Sequence, residues 1–227
     1  MTRNQSRLIH YVADARRLPL PNNAHWLTSS ELAELHFWSD PSRRQQWLAG
    51  RWIAKRLVAR SLGESQLARV EILSRDTAGL GMQPRITLDG ISQKSHLSIS
   101  HAGHAILVGW SQGKTRIGVD LAVDVPQDET FLAAWFSPAE RNWIAKQPAE
   151  RASIVWGLKE AVFKACNNHE KWNPAAVTID SPGCNAIQAT LRGKPLPPLA
   201  TWIRPTERGM ATVVWQTDDN TEVALCS

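Results

Sequence analysis

The sequence predicts an α+β fold built from two halves, residues 1–114 and 115–227, that repeat one order of elements. Three observations support this prediction. A long amphipathic helical pattern near residue 50 precedes a group of short strand patterns, a second helical pattern near residue 155 precedes another group, and turn residues separate the strands. No sequence repeat is visible that would support the duplication independently.

The first half is expected to contain a helix over residues 41–62. Apolar residues recur there at helical spacing, and arginines and lysines are interleaved with them, which predicts a helix with a basic side. A turn-rich stretch covers Asp76 to Pro84. The middle of the chain is predicted to form an antiparallel meander. The strands predicted in this region are 70–73, 96–100, 105–110 and 115–123.

The second half is expected to contain a short helix that begins after a capping box. The segment Ser137–Glu140 supplies a hydroxyl cap, a proline in the first turn and a glutamate three residues after the cap. An apolar side then predicts a longer helix over 151–166. The strands predicted after this helix are 176–179, 186–191, 211–216 and 222–225.

The charge of the chain indicates an anionic partner. The net charge is +5 and the isoelectric point is about 9.4, which suits a nucleic acid, a phosphorylated ligand or an acidic protein. Some of the eleven tryptophans are of a type that stacks on bases in single-strand binders. Tryptophan as core filler is the preferred interpretation for most of them.

The cysteines and the hydropathy indicate a soluble chain in a reducing compartment. Cys166, Cys184 and Cys226 are odd in number and form no Cys-x-x-Cys pair, which argues against a disulfide framework and a structural zinc site. We therefore predict reduced thiols in the cytosol. The chain has no run of about 18 apolar residues for a membrane span. The charged residues among the first twenty, without a continuous apolar stretch, lead us to expect that this segment is not a signal peptide.

Three short segments carry residues suited to phosphate and metal chemistry. Glu160 and Lys164 are four residues apart on a predicted helix, so their side chains are neighbours. Asp120 lies inside an apolar strand, where an unpaired charge is costly and a bound metal would offset that cost. Ser100 and His101 end another strand. Two of these segments also have an ordinary explanation: a surface ion pair for Glu160 and Lys164, and a strand-terminal histidine for His101.

Taken together and in this order, the segments resemble the 4′-phosphopantetheinyl transferase superfamily of the Sfp type. That family has Ile-Ser-His at a strand end, then Gly-(Ile/Val)-Asp-x-Glu, then Trp-x-x-Lys-Glu-Ala-x-x-Lys. The matching segments are Ile99–His101, Gly118–Ala122 and Trp156–Lys164. The resemblance covers roughly Arg43 to Lys164. It implies two similar α/β halves that form a pseudo-dimer with coenzyme A between them.

The resemblance implies a transferase that moves the phosphopantetheine arm of coenzyme A onto a serine of an apo carrier protein. Asp120, Glu160 and Lys164 are then the expected catalytic residues. Asp120 and Glu160 are expected to hold Mg²⁺ against the pyrophosphate. Glu160 is also the expected base for the serine proton, directly or through a metal-bound water. Lys164 would neutralise developing charge and protonate the departing 3′,5′-adenosine bisphosphate.

The resemblance also implies a set of residues that bind coenzyme A. Ser100 and His101 are expected to contact its phosphates, and Lys159 is expected near the phosphates or the pantetheine arm. Arg44 and Arg51 of the basic helix are assigned to the 3′-phosphate. An alternative is that the basic side of the helix docks the acidic recognition helix of a carrier protein. Both roles can belong to different residues of the same helix.

Two positions depart from the family pattern. Ala122 stands where the family has a second acid, so either water fills that place or Asp124 reaches back to it. Gln83-Pro84 replaces a common Lys-Pro. The main alternative function is therefore a degenerate member that binds coenzyme A or a carrier protein without efficient transfer. A nucleic-acid binder is a further alternative, but it lacks a recognisable reading motif. We expect a monomer that binds neither nucleic acid nor membrane.

Overall fold

The computed structural model of the protein describes residues 8–76, 79–166, 171–180, 182 and 185–216. The chain divides into two compact units after Lys114. Both units combine helices with antiparallel sheet, which confirms the predicted α+β class. In the described part of the chain, no helix is long and apolar enough to cross a bilayer.

The N-terminal unit begins with a strand and continues through two helices into a run of strands. Its elements are β1 (Leu8–Asp14), α1 (Ser29–Leu35), α2 (Pro41–Leu62), β2 (Val70–Arg75), β3 (Gly81–Leu88), β4 (Ile91–Ser92), β5 (Ser95–Ala102) and β6 (Ala105–Gln112). One sheet has the order β1-β6-β5 and the other the order β2-β3-β4. Helix α2 packs its apolar residues on both sheets, and this contact forms the core of the unit.

Helix α2 has clear start and stop signals. Asp40 caps it by accepting a hydrogen bond from the backbone N–H of Arg43, and Pro41 occupies its first turn. Gly63 ends it with φ of 72°, a left-handed conformation that glycine adopts at little cost. The predicted range 41–62 is therefore confirmed.

The C-terminal unit repeats this arrangement with one additional helix. Its elements are β7 (Ile117–Val123), α3 (Glu129–Trp135), α4 (Pro138–Ile144), α5 (Pro148–Cys166), β8 (Val177–Asp180), β9 (Ala186–Leu191), β10 (Lys194–Pro195), β11 (Leu199–Thr206) and β12 (Gly209–Gln216). The sheet has the order β10-β9-β11-β12-β7, with β8 paired to β9. Helix α5 covers it and supplies much of the core.

The predicted meander is wrong on both sides of the hairpin formed by β5 and β6, because β2 lies in the separate sheet β2-β3-β4 and β7 does not pair with β6. Strands β5 and β6 form the expected hairpin, but β7 pairs antiparallel with β12, from Ile117 opposite Trp215 to Val123 opposite Gly209. The alternation of apolar residues in 117–123 shows that the strand is buried and does not show which strand is its neighbour. Strands β1, β3, β4, β10 and β11 were also not predicted. The strand predicted at 222–225 lies outside the described residues, as do Cys184 and Cys226.

Candidate active site

The C-terminal unit brings strand β7 and helix α5 into backbone contact at Gly118. A Cβ at this position would overlap the carbonyl oxygen of Ala161 and would lie 2.7 Å from the amide nitrogen of Ala165. Only glycine permits this approach. Asp120 lies two residues further along β7 and on the same side of the strand, so its carboxylate faces the same helix.

Three side chains meet where β7 faces the last turns of α5. The Lys164 ammonium lies 3.1 Å from Asp120 Oδ1 and 3.0 Å from Glu160 Oε1, and it donates to the carbonyl oxygen of Val119 over 3.0 Å. The Asp120 side chain is 4% exposed, whereas Glu160 and Lys164 are 27% and 25% exposed. The cluster therefore has a buried end at Asp120 and a solvent-accessible end at Glu160.

The cluster holds Lys164 in its charged form. Burial alone would lower the pKa of this lysine, but the adjacent Asp120 and Glu160 carboxylates outweigh it and raise the pKa above its usual value. At neutral pH the group is therefore a fixed positive charge that can oppose negative charge developing nearby.

The donor set of this cluster fits a hard divalent cation. Asp120 and Glu160 each place a carboxylate oxygen within 3.1 Å of one nitrogen, so the two oxygens converge. Among the described residues, no group of three or more acidic, histidine or cysteine side chains is placed to hold a metal. Mg²⁺ suits such a site because it commonly takes one or two carboxylates and completes its shell with water and phosphate oxygens.

Ala122 leaves the family's second acidic position apolar. It is 2% exposed and faces α5, where a Cβ on Gly157 would lie 3.5 Å from its methyl group and 2.6 Å from Thr212 Oγ1. Asp124 does not reach back towards Asp120. It follows the strand end with φ of 47° and pairs with Arg208 at an exposed position.

Lys159 is in the interior and not in the Asp120, Glu160 and Lys164 cluster. It is 1% exposed, its ammonium lies 2.9 Å from Glu140 Oε2, and it donates to the carbonyl oxygens of Pro174 and Val177. Burial lowers its pKa and Glu140 opposes that shift. These contacts do not support the expectation that Lys159 binds phosphate, because three acceptors inside the unit already surround its ammonium.

Glu140 is a structural partner that sequence reasoning recognised only as part of a capping box. The capping box itself is confirmed, since Ser137 accepts from the Glu140 N–H and Glu140 accepts from the Ser137 N–H. The same carboxylate also pairs with Lys159 and accepts from the N–H of Ile179 over 2.8 Å. Its burial was not evident from a motif that normally marks an exposed helix start.

The two arginines assigned to the 3′-phosphate lie in different environments. Arg44 is exposed and donates to the carbonyl oxygen of Leu35. Arg51 is 2% exposed, pairs with Glu34 Oε1 at 2.9 Å and stacks over Trp47 at 4.6 Å. The prediction that Arg51 faces a ligand is not supported, because its charge is used inside the N-terminal unit.

Ser100 and His101 lie at the end of β5, as predicted. Ser100 is buried and His101 is partly buried. Helix α2 passes next to them at Gly50, where a Cβ would overlap the His101 ring. Gly50 therefore lets the helix pass the imidazole closely and restricts the positions available to the ring.

The segment that carries the C-terminal cluster is similar to one family of known proteins. Residues 116–204 match the model described as ACPS, 4′-phosphopantetheinyl transferase superfamily. This segment contains Asp120, Glu160 and Lys164. This match agrees with the superfamily that the motifs predict, and it covers the segments Gly118–Ala122 and Trp156–Lys164 but not Ile99–His101.

The curated relatives are holo-[acyl-carrier-protein] synthases of Streptococcus agalactiae serotypes III, V and Ia. Each is 37% identical over 82 residues, which is 34% of this chain and 66% of the relative. The chain thus spans just under two thirds of the length of these relatives.

Two solved structures are similar at low identity. A holo-(acyl-carrier-protein) synthase from Bacillus anthracis in complex with CoA (3′,5′-ADP) is 20% identical, with a TM-score of 0.36 over 46% of this chain and 92% of that one. The Thermotoga maritima holo-[acyl-carrier-protein] synthase is 21% identical, with a TM-score of 0.36 over 57% of this chain and 74% of that one.

Proposed function

We propose that the protein transfers 4′-phosphopantetheine from coenzyme A to a serine of an acidic apo carrier protein. The observation that carries the proposal is the cluster in which Lys164 lies within 3.1 Å of both Asp120 and Glu160. The match of residues 116–204 to the superfamily model supports this chemistry for the cluster. The basic charge of the chain supports an acidic partner.

Glu160 is the base in this proposal. The serine oxygen forms a new bond to the phosphorus that carries pantetheine, and the bond from that phosphorus to 3′,5′-adenosine bisphosphate breaks. Glu160 takes the serine proton, and its partly exposed carboxylate is reachable by an incoming hydroxyl. Buried Asp120 lies 3.1 Å from the Lys164 ammonium and fixes its position.

Lys164 stabilises the leaving group. Its raised pKa keeps it protonated until negative charge develops on the departing phosphate oxygen, where it donates a charge-assisted hydrogen bond or its proton. Asp120 and Glu160 would hold Mg²⁺, which when bound supplies positive charge to the pyrophosphate.

Within the N-terminal unit we assign coenzyme A contacts to Arg44, Ser100 and His101. Arg44 is exposed, and one of its guanidinium nitrogens donates to the carbonyl oxygen of Leu35. The remaining N–H groups of the guanidinium suit a 3′-phosphate. Two units of matching element order in one chain support the Sfp type, in which two halves of a single chain form the enzyme. We accordingly propose a cytoplasmic monomer.

The test is the intact mass of a purified apo carrier protein after incubation with the protein, coenzyme A and Mg²⁺. A metal-dependent gain of about 340 Da, the mass of one phosphopantetheine, is the expected result. Omission of Mg²⁺ and a carrier with its serine changed to alanine are the controls.

Ala122 favours a second candidate, a member that binds coenzyme A or the carrier without efficient transfer. The position is apolar and buried, so the metal would have one carboxylate fewer than the family pattern provides. Coenzyme A binding in calorimetry without any mass gain on several carriers would establish this candidate and overturn transfer.

A further inference from the structure

The same kind of buried ion pair occurs inside each of the two units. In each, a capping-box glutamate at the start of a short helix pairs with a lysine buried in the long helix that follows: Glu31 with Lys55, and Glu140 with Lys159. Each glutamate also accepts from the third residue of the next strand, Ile72 in β2 or Ile179 in β8. These contacts define three pairs of corresponding positions in the two units: Glu31 and Glu140, Lys55 and Lys159, and Ile72 and Ile179.

The alignment places two arginines where the active-site cluster has its helical residues. Trp52-x-x-Lys55 matches Trp156-x-x-Lys159. Counting from the matched lysines, Arg56 corresponds to Glu160 and Arg60 corresponds to Lys164.

The strands extend the match to the third member of the cluster. Tyr11 is the fourth residue of β1 and lies opposite Val108, the fourth residue of β6. Asp120 is the fourth residue of β7 and lies opposite Thr212, the fourth residue of β12. Tyr11 therefore stands where the other unit has Asp120.

These three side chains line one cavity of about 620 Å³ within the N-terminal unit. Tyr11, Arg56 and Arg60 share it with an apolar wall that includes Trp52, Leu57 and Leu67. Cavities of this size hold small organic ligands. The place that is acidic in one unit is thus an open basic cavity in the other.

The charge of the cavity is positive. Arg56 and Arg60 are exposed, and among the described residues neither makes an ion pair. The Arg56 guanidinium lies 5.5 Å from the centre of the Trp52 ring, which holds it against the wall. Glu64 also lines the cavity, but its carboxylate is bound by Arg69 at 2.6 Å. Two arginine forks without an acidic partner form an anion site.

We propose that this cavity is a second ligand site, which binds an alkyl phosphate: the phosphate between Arg56 and Arg60, and the alkyl chain along Trp52 and Leu57. Replacement of Asp120, Glu160 and Lys164 by Tyr11, Arg56 and Arg60 converts a cation-binding arrangement into one for anions. The aliphatic and aromatic wall excludes water from a short chain. The site is separate from the phosphopantetheine chemistry and does not depend on it.

Calorimetric titration with octyl phosphate, below its micelle concentration, tests the site. We expect saturable 1:1 binding that is about tenfold or more weaker in the double variant Arg56→Gln/Arg60→Gln, because two charge-assisted contacts are lost. The matched control is Arg85→Gln/Lys94→Gln, which removes two exposed charges from the same unit outside the cavity and should bind within about twofold of the original.

Further titrations test separately the phosphate group, the alkyl chain and the location of the bound ligand. Inorganic phosphate should bind more weakly than octyl phosphate, and the uncharged octyl glucoside more weakly still. Lys164→Met should leave octyl phosphate binding unchanged, which would place the ligand away from the proposed catalytic cluster. Thermal unfolding of each variant verifies the fold.

Three results would overturn the inference: no saturable binding of octyl phosphate, equal binding in the Arg56/Arg60 and control variants, or equal binding of octyl glucoside. Each is independent of whether a carrier protein is modified. A failure of phosphopantetheine transfer with octyl phosphate binding intact would overturn the proposed function and leave this site standing.

Discussion

Lys159 lies 2.9 Å from Glu140 Oε2 with both side chains removed from water. In the motif Trp-x-x-Lys-Glu, Lys159 therefore points into the core while the adjacent Glu160 points to the cluster with Lys164. The motif thus combines two functions in neighbouring residues. One residue fixes helix α5 in the unit, and the next performs the proposed chemistry.

Removing either partner of this buried pair is expected to destabilise the protein by about 3–5 kcal/mol, because the remaining charge is left in the interior. Glu140→Gln and Lys159→Met test this by urea unfolding. The double variant should cost less than the sum of the single changes, since it leaves no unpaired charge. Arg208→Met, which breaks the exposed ion pair with Asp124, is the comparison and should cost about 1 kcal/mol or less.

Additive costs for Glu140 and Lys159 would contradict a coupled pair. A raised KM for coenzyme A in Lys159→Met with unchanged stability would instead restore the ligand-binding role implied by the family motif.

Glu160→Gln is expected to lower phosphopantetheine transfer by at least about a hundredfold while the fold persists, because the carboxylate is the proposed base and lies at a partly exposed position. Initial rates from carrier mass, with circular dichroism as the fold check, measure this. Glu150→Gln, an exposed change at the start of the same helix, should leave the rate unchanged. Near-normal turnover of the Glu160 variant would remove the residue from the mechanism.

Arg44 and Arg51 are expected to respond in opposite ways. Arg44→Gln should reduce the preference for coenzyme A over dephospho-coenzyme A by about tenfold or more, through the loss of a charge-assisted contact. Arg51→Met should leave this preference intact and lower stability, because it leaves Glu34 buried without its partner.

The ratio of kcat/KM for the two substrates measures the preference. Arg43→Gln, at the exposed neighbouring position, is the control. If Arg51→Met changes the ratio and Arg44→Gln does not, the two assignments are reversed.

Ala122→Glu is expected to lower the Mg²⁺ concentration needed for half-maximal activity, since it adds a carboxylate on the face of β7 that carries Asp120. The larger side chain must enter space next to Gly157, so a stability cost of about 1–3 kcal/mol is also expected. Ala122→Gln has the same size and no charge. If both variants shift the Mg²⁺ requirement equally, the added charge is not the cause.

His10 is expected to make stability depend on pH near neutrality. Burial lowers its pKa below the ordinary value of 6.5, so the unfolded chain binds the proton more readily than the folded one. The stabilisation by neutral His10 is present above pH 6.5 and is lost as pH falls through that value towards the lower folded-state pKa. His10→Gln should therefore flatten the decline in unfolding free energy as the pH falls below 6.5.

Urea unfolding at several pH values measures the effect, with exposed His25→Gln as the control. An equal slope in the original protein and in the His10 variant would show that other groups cause the decline.

The elements that the sequence predicted well are those whose signals are local. Helices α2 and α5 and the capping box before α4 depend on residues within a few positions of one another. Strand β3 was missed because Gly81 and Pro84 lie inside it and are typical of turns. The pairing of β7 with β12 joins residues about 90 positions apart, which no local pattern specifies.

The candidate site divides in the same way. The i,i+4 spacing of Glu160 and Lys164 predicted that their side chains are neighbours, and the family motif added Asp120 to the site. The burial of Arg51 and Lys159 could not be predicted from local sequence, because their partners Glu34 and Glu140 lie 17 and 19 positions earlier on other helices. Charged residues in a basic helix are normally exposed, so only the tertiary structure distinguishes a core ion pair from a binding residue.

The backbone contact at Gly118 determines which substitutions this part of the chain can accept. Because main-chain atoms of β7 and α5 touch directly, the separation of Asp120 from Glu160 does not depend on the sizes of the surrounding core side chains. Substitutions that change the size of those core side chains therefore leave the carboxylates in place, whereas any side chain at position 118 would separate β7 from α5. One residue without a side chain thus makes the spacing of the charged groups insensitive to the evolution of the core.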